Sequence, residues 1–188
     1  NVHWESSGAF TGEVSPAMAK DLGCKYVIIG HSERRNIFFE TDEMINKKVQ
    51  AALSSDITPI LCVGEDLEVR GENRHKEIIE KQLRKGLYGV DVASKNDIII
   101  AYEPVWAIGT GVNAEPEQVE EMHEYISCLL CDVYGYRIGS EIPVLYGGSV
   151  KPANVLDLAA VDNVSGFLIG GASLCVQNFL QIINSLDN

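Results

Sequence analysis

Ala101-Tyr102-Glu103-Pro104-Val105-Trp106-Ala107-Ile108-Gly109-Thr110-Gly111 is the stretch that decides how this 188-residue chain is built. The apolar run Ile98-Ile99-Ile100-Ala101-Tyr102 reads as a buried strand and leads straight into one acidic residue. Pro104 has no N–H to give, so the ladder is expected to stop there. A short apolar segment punctuated by Gly109 and Gly111 comes next. A carboxylate at the C-terminal end of an apolar strand, ahead of a glycine-hinged loop, points to a general base beside a mobile lid. Taken alone, the same stretch fits a solvated strand end and an ordinary loop equally well.

The flanking chain repeats the pattern. Upstream, residues 25–30 and 58–63 are short apolar runs, closed by Gly30-His31 and Gly64-Glu65. Downstream, residues 142–146 and 166–169 end at Gly147-Gly148-Ser149 and Gly170-Gly171-Ala172-Ser173. Between them lie amphipathic segments with start signals. Ser15-Pro16 is a cap followed by Pro at the first helical position, with a helix expected to about Leu22. Thr41-Asp42-Glu43 opens a second helix with acidic residues at its positive end. Helices are expected near 74–85, from Glu115-Pro116 onward, over 152–160 and over 176–186. In the long one, Val119, Met122, Ile126, Leu129, Leu130 and Val133 make the buried stripe.

Strand and helix thus alternate five times, each strand a nearly continuous apolar run. That calls for a parallel α/β sheet buried on both faces, either an open doubly wound sheet or a closed barrel. Chemistry-capable residues gather just after the strands: His31, Glu65, Glu103, Ser149 and Gly170-Gly171. Both architectures place active sites at that mouth. No G-x-G-x-x-G comes after a strand and no Walker loop is present, which counts against a dinucleotide fold.

Composition narrows the partners. Hydrophobic content of 46% and charged content of 22% are those of a globular domain, and the length fits one domain. A formal charge of −12 with only 15 Lys and Arg disfavours nucleic acid and anionic membranes. No apolar run is long enough to span a bilayer, and the N-terminus has no signal-peptide layout. The odd set Cys24, Cys62, Cys128, Cys131 and Cys175 reads as buried, reduced thiols of a cytoplasmic protein. His3, His75 and His123 have no catalytic context and are expected at the surface. The opening Asn1-Val2-His3-Trp4 reads like the middle of a domain.

Six colinear strings carry a resemblance: Gly8-Ala9-Phe10-Thr11-Gly12-Glu13, Gly30-His31-Ser32-Glu33-Arg34-Arg35, Cys62-Val63-Gly64-Glu65, Tyr102 to Gly111, Leu145-Tyr146-Gly147-Gly148-Ser149-Val150, and Gly170-Gly171-Ala172-Ser173-Leu174. With them the chain resembles the triosephosphate isomerase family along essentially its whole length. The resemblance implies an eight-stranded (β/α)8 TIM barrel, here strands four to eight with their helices, as one partial domain over residues 1–188. It implies cofactor-free and metal-free interconversion of glyceraldehyde 3-phosphate and dihydroxyacetone phosphate through an enediolate, in the cytoplasm, by a homodimer.

The resemblance also assigns roles. Glu103 is the base and His31 a neutral electrophile whose pKa is held down by N–H groups at the helical turn begun by Ser32-Glu33-Arg34. Ser32 orients the Glu103 carboxylate, and Glu33 positions a cation or a neighbouring turn. Gly109, Ser149, Gly170 and Gly171 offer backbone N–H groups to the phosphate, with a helix N-terminus behind Gly171. Pro104, Val105, Trp106, Ala107, Ile108, Gly109, Thr110 and Gly111 form the lid, with Pro104-Val105-Trp106 as its first hinge, Ile108-Gly109-Thr110 at its tip and Val112-Asn113-Ala114 as its second hinge. Tyr146 latches the lid when closed. Phe10, Thr11, Gly12 and Glu13 form the interface loop, with Thr11 reaching a partner's site; a local pocket is the other home for Phe10.

Departures from the family pattern set further expectations. The family's first two β/α units and most of its third strand have no counterpart here, nor has its Asn-x-Lys. Asn46-Lys47-Lys48 is no replacement, since it sits mid-helix. The chain alone is therefore expected to be inactive and poorly soluble, with a complementary N-terminal chain as one remedy. The rival reading is a catalytically inactive fragment that only associates with such a chain. Phe39 stands where the family has Gly and is strained if the site needs φ > 0. Asn113 puts a polar residue in the lid hinge, and Leu174 to Phe179 carries no Pro.

Overall fold

The computed structural model describes residues 1–109 and 113–187. At its centre is a five-stranded, all-parallel sheet: β1 (Tyr26–Ile29), β2 (Thr58–Glu65), β3 (Ile99–Pro104), β4 (Val144–Tyr146) and β5 (Gly166–Phe167). Strand order in the sheet is chain order, β1-β2-β3-β4-β5. A doubly wound sheet reverses direction at a switch point, whereas a barrel wall runs on the same way, so the order decides for the barrel architecture.

The helices alternate with the strands: α1 (Pro16–Asp21), α2 (Ser32–Asn36), α3 (Asp42–Ser54), α4 (Leu67–Gly71), α5 (His75–Gly86), α6 (Pro116–Tyr134), α7 (Tyr136–Gly139), α8 (Val155–Ala159) and α9 (Val176–Leu186). Their starts are chemically marked. The Ser15 hydroxyl accepts the Met18 N–H, and Thr41 accepts the Met44 N–H. Glu115 and Gln118 form a reciprocal capping box ahead of α6, with Pro116 at the first turn. Gly135 ends that helix at φ 78°. None of the described helices is long and apolar enough to cross a membrane.

The core lies between the sheet and α3, α5 and α6. Ile29, Leu61 and Ile100 from the strands meet Ile45, Val49, Ile79 and Leu83, all at most 1% exposed. From the α6 stripe, Val119, Met122, Ile126 and Leu130 are fully buried, while Val133 is 36% exposed. Complete burial of one such side chain is worth roughly 1.5–3 kcal/mol. Charged side chains tie helices to strand ends. Arg35 donates to the Gly30 and Cys62 carbonyls and to Asp42, at 2.7, 3.0 and 2.7 Å, which ties the end of β1 and the middle of β2 to α3. Buried Lys48 and Arg34 both donate to Glu40. Burial pushes the Glu40 carboxyl up, but the two donors outweigh it and hold the group below its ordinary value.

The β3 ladder does stop at Pro104, as expected, with that residue in register with Glu65. Pro lacks a donor but keeps its carbonyl, so it serves as the last member of a ladder. Several other expectations need correction. β1 alternates between exposed and buried, with Tyr26 58% and Ile28 37% exposed, because it is the end strand of the sheet. The segment 166–169 gives a strand of only two residues, and α8 begins at Val155 rather than 152. α4 and α7, single turns too short for periodicity to reveal, went unforeseen. His3, His75 and His123 are all buried, at 8%, 8% and 0% exposure, against the surface expectation. Among the cysteines Cys62 is buried, Cys131 is half-buried, and Cys24, Cys128 and Cys175 are exposed.

Phe39 sits at φ 56°, the left-handed region where the family pattern has Gly, with its side chain 78% exposed. The strain expected of it is therefore present, and little burial offsets it. Phe39→Gly is expected to raise unfolding stability by about 1 kcal/mol, after allowing for the extra freedom of Gly in the unfolded chain. Urea denaturation reads the shift in midpoint.

Candidate active site

Two strand ends bring the acid and the imidazole together. Glu103 is the penultimate residue of β3 and His31 caps α2 just beyond β1, separated in the sheet by β2. β2 crosses between them at Gly64, in register with Glu103. A Cβ on Gly64 would collide with the Glu103 carbonyl, so only glycine lets the strands pass this closely. Gly148 is confined in the same way, since a Cβ there would meet the Tyr146 ring.

His31 Nε2 lies 2.9 Å from Glu103 Oε1, with the carboxylate side chain 2% exposed and the imidazole 29% exposed. The other carboxylate oxygen accepts the Ser32 backbone N–H at 2.8 Å. His31 Nδ1 accepts the Glu33 N–H at 3.2 Å. An accepting Nδ1 puts the proton of the neutral ring on Nε2, where it faces Glu103. The hydrogen bond to Glu103 raises the His31 pKa, against the opposing effect of burial. This corrects the depressed value expected from the sequence. The N–H at the start of α2 is in place, but α2 is a five-residue helix with a small dipole, and a carboxylate in direct contact outweighs it. Ser32 acts here through its backbone rather than its hydroxyl, and Glu33 contributes its N–H while its side chain stays exposed.

The pair opens onto a cavity of about 560 Å3 whose wall includes His31, Glu103, Gly109, Ser149, Gly170 and Gly171. Residues from four different strand ends therefore meet around one space, three of them through glycine-bearing loops. Beyond Gly170 the chain makes a 3₁₀ turn over Gly171–Leu174, and α9 starts only at Val176, so the helix N-terminus expected behind Gly171 is displaced by a short turn. Ile28, Lys151 and Asn178 also line the cavity and were not singled out in the sequence. Lys151 carries a signal that could have found it: it is the first cation after the Gly147-Gly148-Ser149 turn.

The lid expectations fall partly on described residues. Val105–Ala107 is a 3₁₀ turn, with Ile108 and Gly109 on the cavity wall, while Thr110, Gly111 and Val112 lie outside the described residues. Trp106 Nε1 donates to Glu65 Oε1 at 2.9 Å, and the Tyr102 hydroxyl donates to the same oxygen at 3.0 Å. Burial raises the Glu65 pKa, and these two donors temper the shift. Glu65 thus anchors the first lid hinge rather than facing the cavity. Tyr146 is fully buried, which pushes its hydroxyl up to about 12, and the Ala114 backbone beside it works the other way. Phe10 packs its ring 4.3 Å from that of His3 yet stays 41% exposed, and Glu13 N–H closes a turn onto the Phe10 carbonyl at 3.0 Å. Thr11 and Gly12 are exposed at the tip.

A triosephosphate isomerase family model matches residues 1–186. Among similar proteins, the triosephosphate isomerase of Finegoldia magna is 51% identical over 187 residues, covering 98% of this chain and 74% of that protein. That of Carboxydothermus hydrogenoformans is 51% identical over 183 residues, covering 97% and 73%. The crystal structure of triosephosphate isomerase from Bartonella henselae superimposes with a TM-score of 0.92 at 40% identity, over 100% of this chain and 76% of that one. Sequence kinship at this level, over a backbone of the same shape, leaves one assignment: the chain belongs to the triosephosphate isomerase family.

Proposed function

We propose that the chain interconverts dihydroxyacetone phosphate and D-glyceraldehyde 3-phosphate, with Glu103 as base and His31 as electrophile. The observation that carries the reading is the 2.9 Å contact between Glu103 and His31 at the wall of a cavity shared with three glycine loops. Glu103 takes the proton from C1 of the ketose and returns it to C2. A carboxylate suits both steps, because its conjugate acid gives back what it took. The Nε2–H of His31 steadies the oxygens of the intervening enediolate. When Glu103 turns from His31 to the substrate, the contact that raises the imidazole pKa is lost. The Glu33 N–H at Nδ1 then favours the neutral ring.

The N–H groups of Gly109, Ser149, Gly170 and Gly171 hold the phosphate. Val105–Ala107 and Ala114, seated on Glu65 and beside Tyr146, are the hinges of a lid that excludes water. A second copy covers the exposed Phe10–Glu13 loop in a homodimer, and a complementary β/α segment along β1 would cover Tyr26 and Ile28. The cytoplasm suits a chain with three exposed thiols.

Isomerisation run in D2O tests the chemistry. Solvent deuterium is expected at C2 of the aldose, because a proton held on a carboxylate exchanges before it is returned. Aldose and recovered ketose that both stay free of solvent label after many turnovers would overturn the role given to Glu103.

A further inference from the structure

We propose that Lys151 is the cation that draws the phosphate monoester end of the substrate into the glycine-lined part of the cavity. The inference rests on the isomerase reading above and goes beyond its backbone donors. Among the described residues lining the cavity, only His31, Glu103 and Lys151 carry ionisable side chains, and Lys151 is the one Lys or Arg among them. The substrate is a dianion, and the chain it approaches has a formal charge of −12. Backbone N–H groups hold an anion well at contact, but their field falls off quickly, whereas a full charge acts over a Debye length.

Lys151 is also held in place relative to the loop. Its N–H donates to Asn154 Oδ1 at 2.7 Å, and Asn154 Nδ2 donates to the Ser149 carbonyl at 3.0 Å. One Asn side chain thus fastens Ser149 and Lys151 into a single unit, so the lysine stem leaves the backbone two residues from a proposed phosphate donor. The side chain is exposed, and its ammonium forms no ion pair among the described residues. A solvated ammonium on a flexible stem can meet an incoming anion without first breaking another contact.

The test is the affinity of the protein for glycerol 3-phosphate, monitored by NMR through the Gly170 and Gly171 amide resonances. At low ionic strength Lys151→Ala is expected to weaken binding about two- to fivefold, as for an exposed ion pair, and Lys151→Glu more. Lys151→Arg should restore it, and the contrast should vanish near half-molar salt. In turnover, KM should rise and kcat hold. Equal affinity of wild type and Lys151→Ala at low salt, or a difference that salt does not reduce, overturns the assignment to Lys151 alone. Wild-type protein whose Gly170 and Gly171 resonances ignore glycerol 3-phosphate overturns both this proposal and the phosphate seat on which it stands.

Discussion

Glu103→Gln is expected to lower kcat for triose phosphate isomerisation by about 10²–10⁴, the usual contribution of a positioned general base, with KM little changed. The substitution keeps size and shape but removes the lone acceptor of the substrate proton. It also reverses one hydrogen bond. The two carboxylate oxygens now face two donors, the Ser32 N–H and the His31 Nε2. The Gln amide offers one acceptor and one donor, so one of these buried contacts becomes donor against donor. That costs about 1–3 kcal/mol of stability. Thermal unfolding of the variant therefore accompanies the rate measurement, so that lost turnover is not mistaken for lost fold. Glu103→Asp keeps the charge but withdraws the carboxylate by one methylene, and a displacement of about 1 Å can cost about 10²-fold. A Gln variant that turns over within tenfold of the wild type would be incompatible with the proposed role of Glu103.

The second large effect is on stability against acid. His123 is on the inner face of α6, fully buried between the rings of Tyr102 and Tyr146, whose centroids lie 6.0 and 6.4 Å away. Burial depresses its pKa from 6.5 to about 4, while its hydrogen bond with the Asn163 carbonyl pulls the other way. Between those two values the unfolded chain holds a proton that the folded chain does not. Stability is therefore full above pH 6.5 and falls as the pH drops toward 4, by about 3 kcal/mol for a shift of this size. His123→Gln keeps an N–H for Asn163 and removes the titration. It is expected to be less stable than wild type at pH 7 yet to lose about 3 kcal/mol less between pH 6.5 and 4. The readout is the difference between the two slopes, which subtracts carboxylates common to both proteins, Glu40 and Glu65 among them. Parallel slopes would assign the acid sensitivity elsewhere. Tyr102 precedes Glu103 on β3, and Tyr146 stands beside the second lid hinge, so a charged His123 would push on both supports of the site.

Much of this protein can be read from its residues in order. Unbroken apolar runs at residues 60–63 and 98–102 announced buried parallel strands, since an alternating pattern would have left one face wet. The Ser15-Pro16 cap, the acidic Thr41-Asp42-Glu43 opening and Glu115-Pro116 located three helix starts, and Ser15, Thr41 and Glu115 each cap their helix in the fold. The motif strings at His31, Glu103, Gly109, Ser149 and Gly170 named residues that line one cavity. The strain at Phe39 could be foreseen from a bulky residue at a glycine position.

What stayed hidden depends on contacts between residues far apart in the chain. Burial of His123 could not be read from a helix of mixed polarity, because it is set by which turn of α6 rests on β3 and β4. The direction of the His31 shift required knowing that a carboxylate 72 residues away sits 2.9 Å from the ring. Lys151 could be picked out as the first cation after the Gly147-Gly148-Ser149 turn, but only the closing of the loops put it on the wall of the same space as His31 and Glu103. Sequence alone determined the periodicities, caps and motifs, which act over a few residues and are written in their order. Tertiary structure alone decided strand order, burial of ionisable groups and the charges that face one another, because desolvation and Coulomb energy depend on distances that folding creates.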